Sequence, residues 1–373
     1  MASQDIVIIG GGIAGAAAGY ALGEDLGDAA RITILEAEAQ PGYHTTGRSA
    51  ALYIATYGPP AIRALTRASH GFLAAPPEGF AAAPILKPRG VVLLAGATEA
   101  DRFHAEVAGD PAFEEVSIEA VRSMVPPLRA DAYAHAAFER GATEIDVAAL
   151  HQGFLAGFKA RGGRVVVDAG VERIERRGGR WQVRAGGQTL AADVIVNAAG
   201  AWSDRVAALA GARPVGLVPK RRTAVILPPP EGADPAGWPV VGDFAETFYF
   251  KPETGNLLAS PADATPSEPC DAQPEELDVA LVVDRIETVL GYQVRRVLHR
   301  WAGLRTFAPD GNPVIGWDPA VQGFFWLAGQ GGYGIQTAVG MARLTAAQVI
   351  GRDNPIAGLD TATVSPGRLA MAA

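Results

Sequence analysis

The chain has 373 residues, of which 49% are hydrophobic and 19% are charged, and these proportions are typical of a globular protein with a large core. Its net charge of −8 gives no reason to expect a nucleic acid as a partner. Cys270 is the single cysteine, which excludes an intrachain disulfide and a cysteine-based metal site, and no apolar run approaches the roughly 18 residues that a membrane-spanning helix needs.

The first recognisable unit is an apolar strand that runs into a glycine-rich turn and a helix. Gly10, Gly12 and Gly15 form G-x-G-x-x-G, and a second strand ends at Glu36, 21 residues after Gly15. In such a turn the glycines allow a sharp reversal, the approach of a pyrophosphate and close packing of helix on strand. The phosphates then bind free N–H groups at the helix N-terminus, and Glu36 is predicted to accept hydrogen bonds from the adenosine ribose. The pattern predicts a dinucleotide site, and the alternative is a purely structural turn.

The middle of the chain alternates between two kinds of pattern. Buried-type strands and one amphipathic helix are predicted at 147–160, 164–168 and 193–197, with an antiparallel meander over 170–174, 181–185 and 189–191. Proline-rich regions with short strands are predicted at 90–94, 222–227, 247–251 and 256–259, with a helix near 275–290. This alternation predicts two interleaved domains. The nucleotide domain takes 1–60, 145–215 and 300–373, and the substrate domain takes 61–144 and 216–299.

Two arginines are candidates for binding a carboxylate. Arg222 opens a strand-like run, and Arg305 lies among apolar residues, where an unpaired charge would be costly. A guanidinium in such a setting indicates a carboxylate partner held through its planar fork. The partner is either a substrate or an internal acid, and the sequence leaves both open. Tyr249, Tyr53 and Tyr57 are either core tyrosines or donors in a pocket.

A second glycine-rich turn lies near the C-terminus. Four glycines within Gly329–Gly334 follow an apolar strand and precede a helix predicted to begin near Ile335. The N–H groups at such a helix start are unpaired and lie at the positive end of its dipole. A flavin gains negative charge along its N1–C2=O edge when it is reduced, and this turn could stabilise that charge. A glycine-rich loop without a ligand is the alternative.

These motifs together resemble the D-amino-acid oxidase superfamily of FAD flavoenzymes, over nearly the whole chain. The resemblance is carried by residues 40–51, 149–153, 197–202, 219–222, 301–305 and 330–337. It is greatest to the bacterial D-arginine dehydrogenase group of D-amino-acid dehydrogenases. It implies an α/β fold, with a glutathione-reductase-like FAD/NAD(P)-binding Rossmann domain and an α+β insert that forms a discontinuous antiparallel-sheet substrate domain.

The resemblance also implies roles for individual residues. Arg222, Arg305 and Tyr249 would hold the substrate carboxylate, the carbonyl of Gly332 would meet the amino group, and Tyr57 would lie on a mobile loop, with Tyr53 nearby. The residues assigned to FAD are Gly10, Gly12, Ile13, Ala14, Gly15, Glu36, Ala37, His44, Thr45, Thr46, Arg48, Ser49, Ala50, Val171, Ala199, Gly200, Trp202, Gly303, Gly331, Gly332, Tyr333, Gly334, Ile335 and Gln336.

The sequence departs from the family pattern at four points. Arginine-preferring relatives have an acid where this chain has Lys87–Gly90, and a histidine where it has Leu52. Oxidase relatives have a lysine on the strand that here contains Leu257, and a flavin-linking cysteine near the position of Gly303. These differences predict a neutral or apolar D-amino acid as substrate, non-covalent FAD and poor reactivity with oxygen.

The predicted activity is FAD-dependent oxidation of a D-amino acid to an imino acid by hydride transfer to flavin N5, followed by hydrolysis to a 2-oxo acid and ammonia. The predicted electron acceptor is a quinone or another carrier. Three alternatives stay open: a glycine- or sarcosine-type oxidase, a 2-hydroxy acid dehydrogenase, and a flavin-binding protein without turnover. We expect a cytoplasmic protein that binds no metal, and peripheral association with the inner membrane also stays open.

Overall fold

The computed structural model describes residues 4–129, 131 and 133–369. Residues 1–3 and 370–373 of the predicted nucleotide domain, and Ala130 and Ala132 of the predicted substrate domain, lie outside the described residues. The strands are β1 Gln4–Ile9, β2 Ala30–Leu35, β3 Leu52–Tyr53, β4 Leu86–Pro88, β5 Val91–Ala95, β6 Phe113–Val116, β7 His135–Glu139, β8 Thr143–Ile145, β9 Arg164–Val166, β10 Val171–Arg177, β11 Arg180–Ala185, β12 Gln188–Ala192, β13 Val194–Asn197, β14 Val218–Leu227, β15 Val240–Asp243, β16 Tyr249–Glu253, β17 Asn256–Ser260, β18 Thr265–Pro266, β19 His299–Phe307, β20 Val314–Trp317 and β21 Phe324–Ala328. The helices are α1 Ile13–Leu26, α2 Pro60–Ala74, α3 Ala100–Ala108, α4 Ile118–Met124, α5 Val147–Ala160, α6 Ser203–Leu209, α7 Glu276–Leu290 and α8 Ala338–Val349.

The first sheet is the predicted nucleotide-binding sheet. Its order is β20-β21-β13-β1-β2-β9, with parallel pairing throughout except for the antiparallel edge strand β20. The central strand β1 is buried on both faces from Ile6 to Ile9, as expected of a parallel sheet covered on both sides. Helix α1 packs between α5 and α8 on one face, and the β10-β11-β12 meander covers part of the other.

The second sheet is larger and mainly antiparallel. Its order is β18-β14-β17-β16-β15-β5-β7-β6, and β19 pairs with the other side of β14. Only the β5–β15 pair is parallel. Helix α7 packs on β14 and β17, and α3 packs on β6 and β7. Short strands β3, β8 and β4 form a small sheet between the two larger ones.

The α/β fold predicted from the sequence is confirmed, with one correction to the division of the chain. Strand β19 pairs with β14 along its whole length, from Val218 opposite Phe307 to Ile226 opposite His299. Residues 299–307 therefore belong to the larger sheet. The prediction had placed residues from 300 onward with the nucleotide sheet. The error arose because the apolar pattern of β19 suits a buried strand in either sheet, and pairing partners cannot be inferred from periodicity.

Most element positions agree with the sequence pattern. Helix α5 has the predicted bounds, and the meander strands and α7 lie within a few residues of their predicted ones. Helix α8 begins at Ala338 and not near Ile335, because residues 334–337 form turns before the helix. Among the described helices, none combines the length and apolarity required to cross a membrane.

Candidate active site

The glycines of the first turn are required by close contacts. Gly10 follows β1 with φ of +107°, and a Cβ there would overlap the carbonyl of Ala198. A Cβ on Gly15 would overlap the Gly10 carbonyl, so the third glycine lets α1 begin directly against the strand end. A Cβ on Gly12 would lie 3.2 Å from Thr46 Oγ1, which is a tight contact. The three glycines therefore meet three different steric constraints, and the approach of a pyrophosphate to Gly12 stays a prediction.

The N–H groups of this turn are divided between protein partners and the cavity. Gly11 N donates to Glu36 Oε2 at 2.9 Å, and Ile13 N donates to Thr46 Oγ1 at 3.0 Å. The N–H groups of Gly12 and Ala14 donate no hydrogen bond within the described residues, and both residues line a large cavity. Unpaired donors at the start of a 14-residue helix are suited to a phosphate.

The predicted ribose end of the site lies at the end of β2. Glu36 is buried, and its carboxylate accepts hydrogen bonds from Gly11 N and Glu38 N. His44 Nε2 lies 2.8 Å from Glu38 Oε1, and its ring is 4.8 Å from that of Trp202. His44 is therefore held by its neighbours. The remaining predicted residues of this end are Ala37, which follows Glu36, Val171, which starts β10, and Ala199, which follows Ala198.

His151 supports the first glycine turn, and the sequence did not identify it as part of the site. It lies on α5, and its Nε2 donates to the Gly11 carbonyl at 2.8 Å, which fixes the turn from below. Burial lowers the pKa of His151, so the ring is neutral at pH 7. A Cβ on Gly42 would lie 2.9 Å from its Cε1, so Gly42 leaves room for the ring. The residue belongs to the 149–153 stretch, but a lone histidine on an apolar helix face carries no specific signal.

The second glycine turn closes the opposite end of the same cavity. Gly331 N donates to Thr306 O at 2.8 Å, which ties the turn to β19. The N–H groups of Gly332, Gly334, Ile335 and Gln336 donate no hydrogen bond within the described part of the chain. These residues line the cavity with Tyr333, although they precede α8 and do not form its first turn, and their binding of FAD stays a prediction. The side chain of Gln336 is used internally, since it bonds Ile54 N and Thr66 Oγ1.

The wall between the two turns comes from residues 45–51 and β19. Thr45 Oγ1 donates to Leu304 O at 2.7 Å, and Arg48 Nη1 donates to the carbonyls of Ala302 and Ala272 while Nη2 pairs with Asp271. The guanidinium of Arg48 is thus engaged by the protein. Five predicted residues of this wall line the cavity along with Thr46: Thr45, Ser49, Ala50, Gly200 and Gly303.

The cavity of about 700 Å³ contains both predicted substrate arginines. Arg222 pairs with Gly303 in the β14–β19 register, and Arg305 lies two residues further along β19, so both side chains are on one face. Neither forms an ion pair with an acid within the described residues. Arg222 Nε donates to the Asp263 carbonyl at 2.7 Å. Burial, with the positive charge of Arg305, lowers the pKa of Arg222.

The neighbouring Arg221 shows the opposite arrangement. Its side chain lies on the other face of β14, where it pairs with Glu275 and with Asp278 at 3.1 Å. An internal salt bridge was the alternative for both candidate arginines, and the structure shows one for Arg221 instead. Two half-buried guanidinium groups that form no ion pair among the described residues leave an anion site in the cavity.

Four tyrosines were predicted to belong to the site. Tyr249, Tyr57 and Tyr333 line the cavity that contains Arg222 and Arg305, whereas Tyr53 does not. Tyr249 is on β16, and the Tyr57 ring lies 4.9 Å from that of Tyr333. Burial raises the pKa of Tyr333, so its hydroxyl is protonated. The ring of Tyr53 is buried in the core, 5.3 Å from that of His70, because β3 directs alternate side chains to opposite faces.

Gly332 is required by the arginine pair. A Cβ there would overlap the Arg305 guanidinium, so that only glycine lets this side chain lie against the turn. The Gly332 carbonyl accepts no hydrogen bond from the described residues. One residue thus presents a free acceptor beside an unpaired cation, which is the combination that an amino group next to a carboxylate requires.

Glu139 is an acid in the cavity that the sequence did not identify. It is buried at the end of β7, where Oε1 accepts from Ala55 N at 3.1 Å and Oε2 accepts from Thr56 Oγ1 at 2.5 Å. Burial raises its pKa, although these hydrogen bonds oppose the shift. Glu139 pairs with Val91, next to the stretch in which the sequence showed no acid. The acid is therefore supplied by a neighbouring strand, and it holds the segment before Tyr57.

Comparison with known proteins identifies this architecture. A family model described as "FAD dependent oxidoreductase" matches residues 5–348. Glycine oxidase of Bacillus licheniformis is 25% identical over 365 residues, which cover 94% of each chain. A bovine protein called FAD-dependent oxidoreductase domain-containing protein 1 is 27% identical over 179 residues, 44% of this chain. That match spans 37% of the length of the bovine protein.

Solved structures agree in fold over the full length. Glycine oxidase from Geobacillus kaustophilus superposes with a TM-score of 0.84 at 24% identity, covering 98% of both chains. L-proline dehydrogenase from P. horikoshii gives a TM-score of 0.84 at 20% identity, covering 100% of this chain and 99% of that one. At these identities the likeness shows the fold. The family match shows FAD as the cofactor of this protein, and the unpaired donors of both glycine turns and the position of Glu36 fit such a dinucleotide.

Proposed function

Because this chain belongs to the family of FAD-dependent oxidoreductases, we propose that it oxidises a substrate of the amino-acid type. More closely, we propose that it is a dehydrogenase of D-amino acids with neutral or apolar side chains. One observation carries the proposal. Arg222 and Arg305 place two half-buried guanidinium groups, which form no ion pair with an acid among the described residues, beside the glycine turn that closes the cofactor end of the cavity. A substrate carboxylate supplies the missing negative charge.

The residues around this anion site give an amino acid one orientation. The carboxylate lies between Arg222 and Arg305, and a bidentate fork fixes its plane. The Gly332 carbonyl would accept a hydrogen bond from the amino group, so that the carboxylate and the amino group together fix the orientation of Cα. Bound FAD supplies the two-electron acceptor for the hydrogen on Cα. Loss of the N–H proton then gives the imino acid, which water hydrolyses to a 2-oxo acid and ammonia. Orientation alone can contribute several powers of ten to such a reaction.

The side-chain preference is supported by the lining of the cavity beyond the arginine pair. Apolar groups from several elements form most of the wall near Tyr249. They are Leu52, Ile54, Val91, Leu93, Val240, Phe244 and Phe248. Glu139, Asp243 and Glu246 also line the cavity, but the carboxylate of Glu139 is occupied by the 55–56 segment and that of Asp243 by residues 247 and 248. A neutral or apolar side chain is therefore the best complement, in agreement with the departures from the arginine-preferring pattern.

The dehydrogenase assignment rests on what the strand and wall near the cofactor lack. Leu257 is fully buried and lies outside the cavity, so it contributes no cation there. Gly303 lines the cavity with no nucleophile, which supports non-covalent FAD. We propose a quinone or another carrier as the electron acceptor. The curated glycine oxidase keeps an oxygen-using amino-acid oxidase as the second candidate.

Anaerobic reduction of the flavin tests the proposal. The FAD-loaded protein is mixed with D- and L-forms of alanine, leucine, methionine and arginine, with glycine and sarcosine, and with 2-hydroxy acids. Bleaching by neutral D-amino acids supports it, whereas bleaching only by glycine or sarcosine, by L-amino acids or by hydroxy acids refutes it. Peroxide yield against dye reduction then separates oxidase from dehydrogenase. A stoichiometric peroxide yield at rates equal to dye reduction would overturn the dehydrogenase assignment.

A further inference from the structure

Two histidines and a glutamate meet at the outer edge of the larger sheet, away from the arginine pair. His104 lies on α3, Glu115 on β6 and His135 at the start of β7. Glu115 pairs with Ala137, two residues along β7 from His135, so Glu115 and His135 are on one face of the sheet. Helix α3 packs on these two strands, which brings His104 onto the same face.

The three side chains form a compact group of potential metal ligands. One donor atom from each lies within 4.8 Å of the others. His104 Nδ1 is 3.5 Å from Glu115 Oε1, and the two imidazole rings are 4.6 Å apart, centroid to centroid. None of the three side chains makes a hydrogen bond to another described residue. Both histidines are half-buried and Glu115 is exposed, so that ions from solvent can reach the group.

We propose that His104, Glu115 and His135 bind a divalent transition-metal ion of the Zn²⁺ type. Two imidazole nitrogens and one carboxylate oxygen are a common three-ligand set for this ion, with water in the fourth position. Metal–ligand bonds of about 2.0–2.1 Å place tetrahedral donors roughly 3.3 Å apart. The His104–Glu115 separation already approaches this value, and small rotations of the rings supply the remainder. Oxygen-preferring ions such as Mg²⁺ are poorly matched to two imidazoles.

The bound ion would brace one wall of the substrate cavity. Each of the three elements that carry a ligand also carries a cavity-lining residue: Glu106 on α3, Phe113 on β6 and Glu139 on β7. A metal bridging the three elements restricts the opening of this wall. The ion takes no part in the proposed reaction, so the inference stands or fails independently of the proposed function.

Metal titration of the FAD-loaded, untagged protein after treatment with a chelator tests the inference. We expect one equivalent of Zn²⁺ to bind by calorimetry and to raise the melting temperature, while Mg²⁺ does neither. Co²⁺ should give the intense visible bands of a four-coordinate site. Absence of Zn²⁺ binding to the wild-type protein would overturn the proposal.

Variants assign the ligands. His104→Ala and His135→Ala should each weaken Zn²⁺ binding at least tenfold and abolish the Co²⁺ bands, and Glu115→Gln should weaken it less. The matched control is His299→Ala, which removes an exposed histidine that stacks on Trp301 and should bind Zn²⁺ as the wild type does. Flavin absorbance confirms that each variant is folded. Unchanged Zn²⁺ binding in both His104→Ala and His135→Ala would refute the assignment.

Discussion

Removing one charge of the Arg222–Arg305 pair should have opposite effects on the stability of the protein and on its binding of a carboxylate. Arg222 and Arg305 are diagonal neighbours across β14 and β19, at a backbone separation of about 7 Å. Guanidinium groups carried at a similar separation would repel by roughly 2 kcal/mol at an effective dielectric constant of about 20. Arg222→Gln removes this repulsion and the desolvation of one charge, but loses a hydrogen bond worth about 1 kcal/mol. We expect the substrate-free variant to be at least as stable as the wild type in urea unfolding.

Binding should respond in the other direction. A hydrogen bond from a charged donor to a carboxylate is worth about 1.5–3 kcal/mol, so losing one guanidinium should lower kcat/KM roughly 10- to 150-fold. The assay is anaerobic flavin reduction by the best amino acid of the panel, together with titration of a non-reacting carboxylate followed by flavin absorbance. Both values should fall in Arg222→Gln.

Arg221→Gln is the matched control, because it changes the same residue type one position away. Arg221 is paired with Glu275 and Asp278 outside the cavity, so its loss should cost about 3 kcal/mol of stability and leave carboxylate affinity unchanged. The reasoning is refuted if Arg222→Gln keeps kcat/KM within about threefold of the wild type. It is also refuted if Arg222→Gln destabilises the substrate-free protein as much as Arg221→Gln does.

Three further predictions concern residues around this pair. Gly332→Ala should displace the Arg305 guanidinium and lower kcat/KM as much as Arg222→Gln does. A fully active Gly332→Ala protein would contradict the steric argument. Neutral His151 stabilises the fold above its unfolded pKa of about 6.5, and this stability is lost as the pH falls below that value, because burial lowers the folded pKa. The free energy of unfolding of the wild type, measured with urea, should therefore fall between pH 8 and pH 5, and His151→Gln should weaken this pH dependence. An unchanged pH dependence would exclude His151 as its source. Glu139→Ala should release the segment before Tyr57 and raise KM more than it lowers kcat; equal effects on both would argue against a positioning role.

Local rules account for what the sequence predicted correctly. The close contact of Gly15 with the Gly10 carbonyl joins residues near in sequence, and the periodicity of α5 is also a local property. The errors involve distant partners. Glu139 enters the cavity because β7 pairs with β5, which no local pattern reveals. Tyr53 was assigned to the pocket with Tyr57, but the direction of a two-residue strand depends on the sheet that it joins.

The proposed metal site was inaccessible to the sequence for the same reason. Metal motifs are recognised by ligands at short, regular spacing on one or two elements. His104, Glu115 and His135 come from three elements, and only the packing of α3 on the β6–β7 edge unites them. The prediction that no metal is bound therefore rested on spacing alone.

The assignment of the substrate arginines shows most clearly what the fold adds. In a strand, successive side chains point to opposite faces, so Arg221 and Arg222 must face different surroundings. Helix α7 covers one face of β14 and supplies Asp278, which satisfies Arg221. The other face opens to the cavity, where Arg222 lies beside the positive charge of Arg305 and donates a hydrogen bond to the Asp263 carbonyl, but forms no ion pair with an acid among the described residues. The sequence contains both arginines, but which of them lacks an acid is decided by the side of the sheet on which α7 packs. The charge that remains unbalanced is therefore a property of the tertiary structure, and it is this charge that the substrate carboxylate is proposed to neutralise.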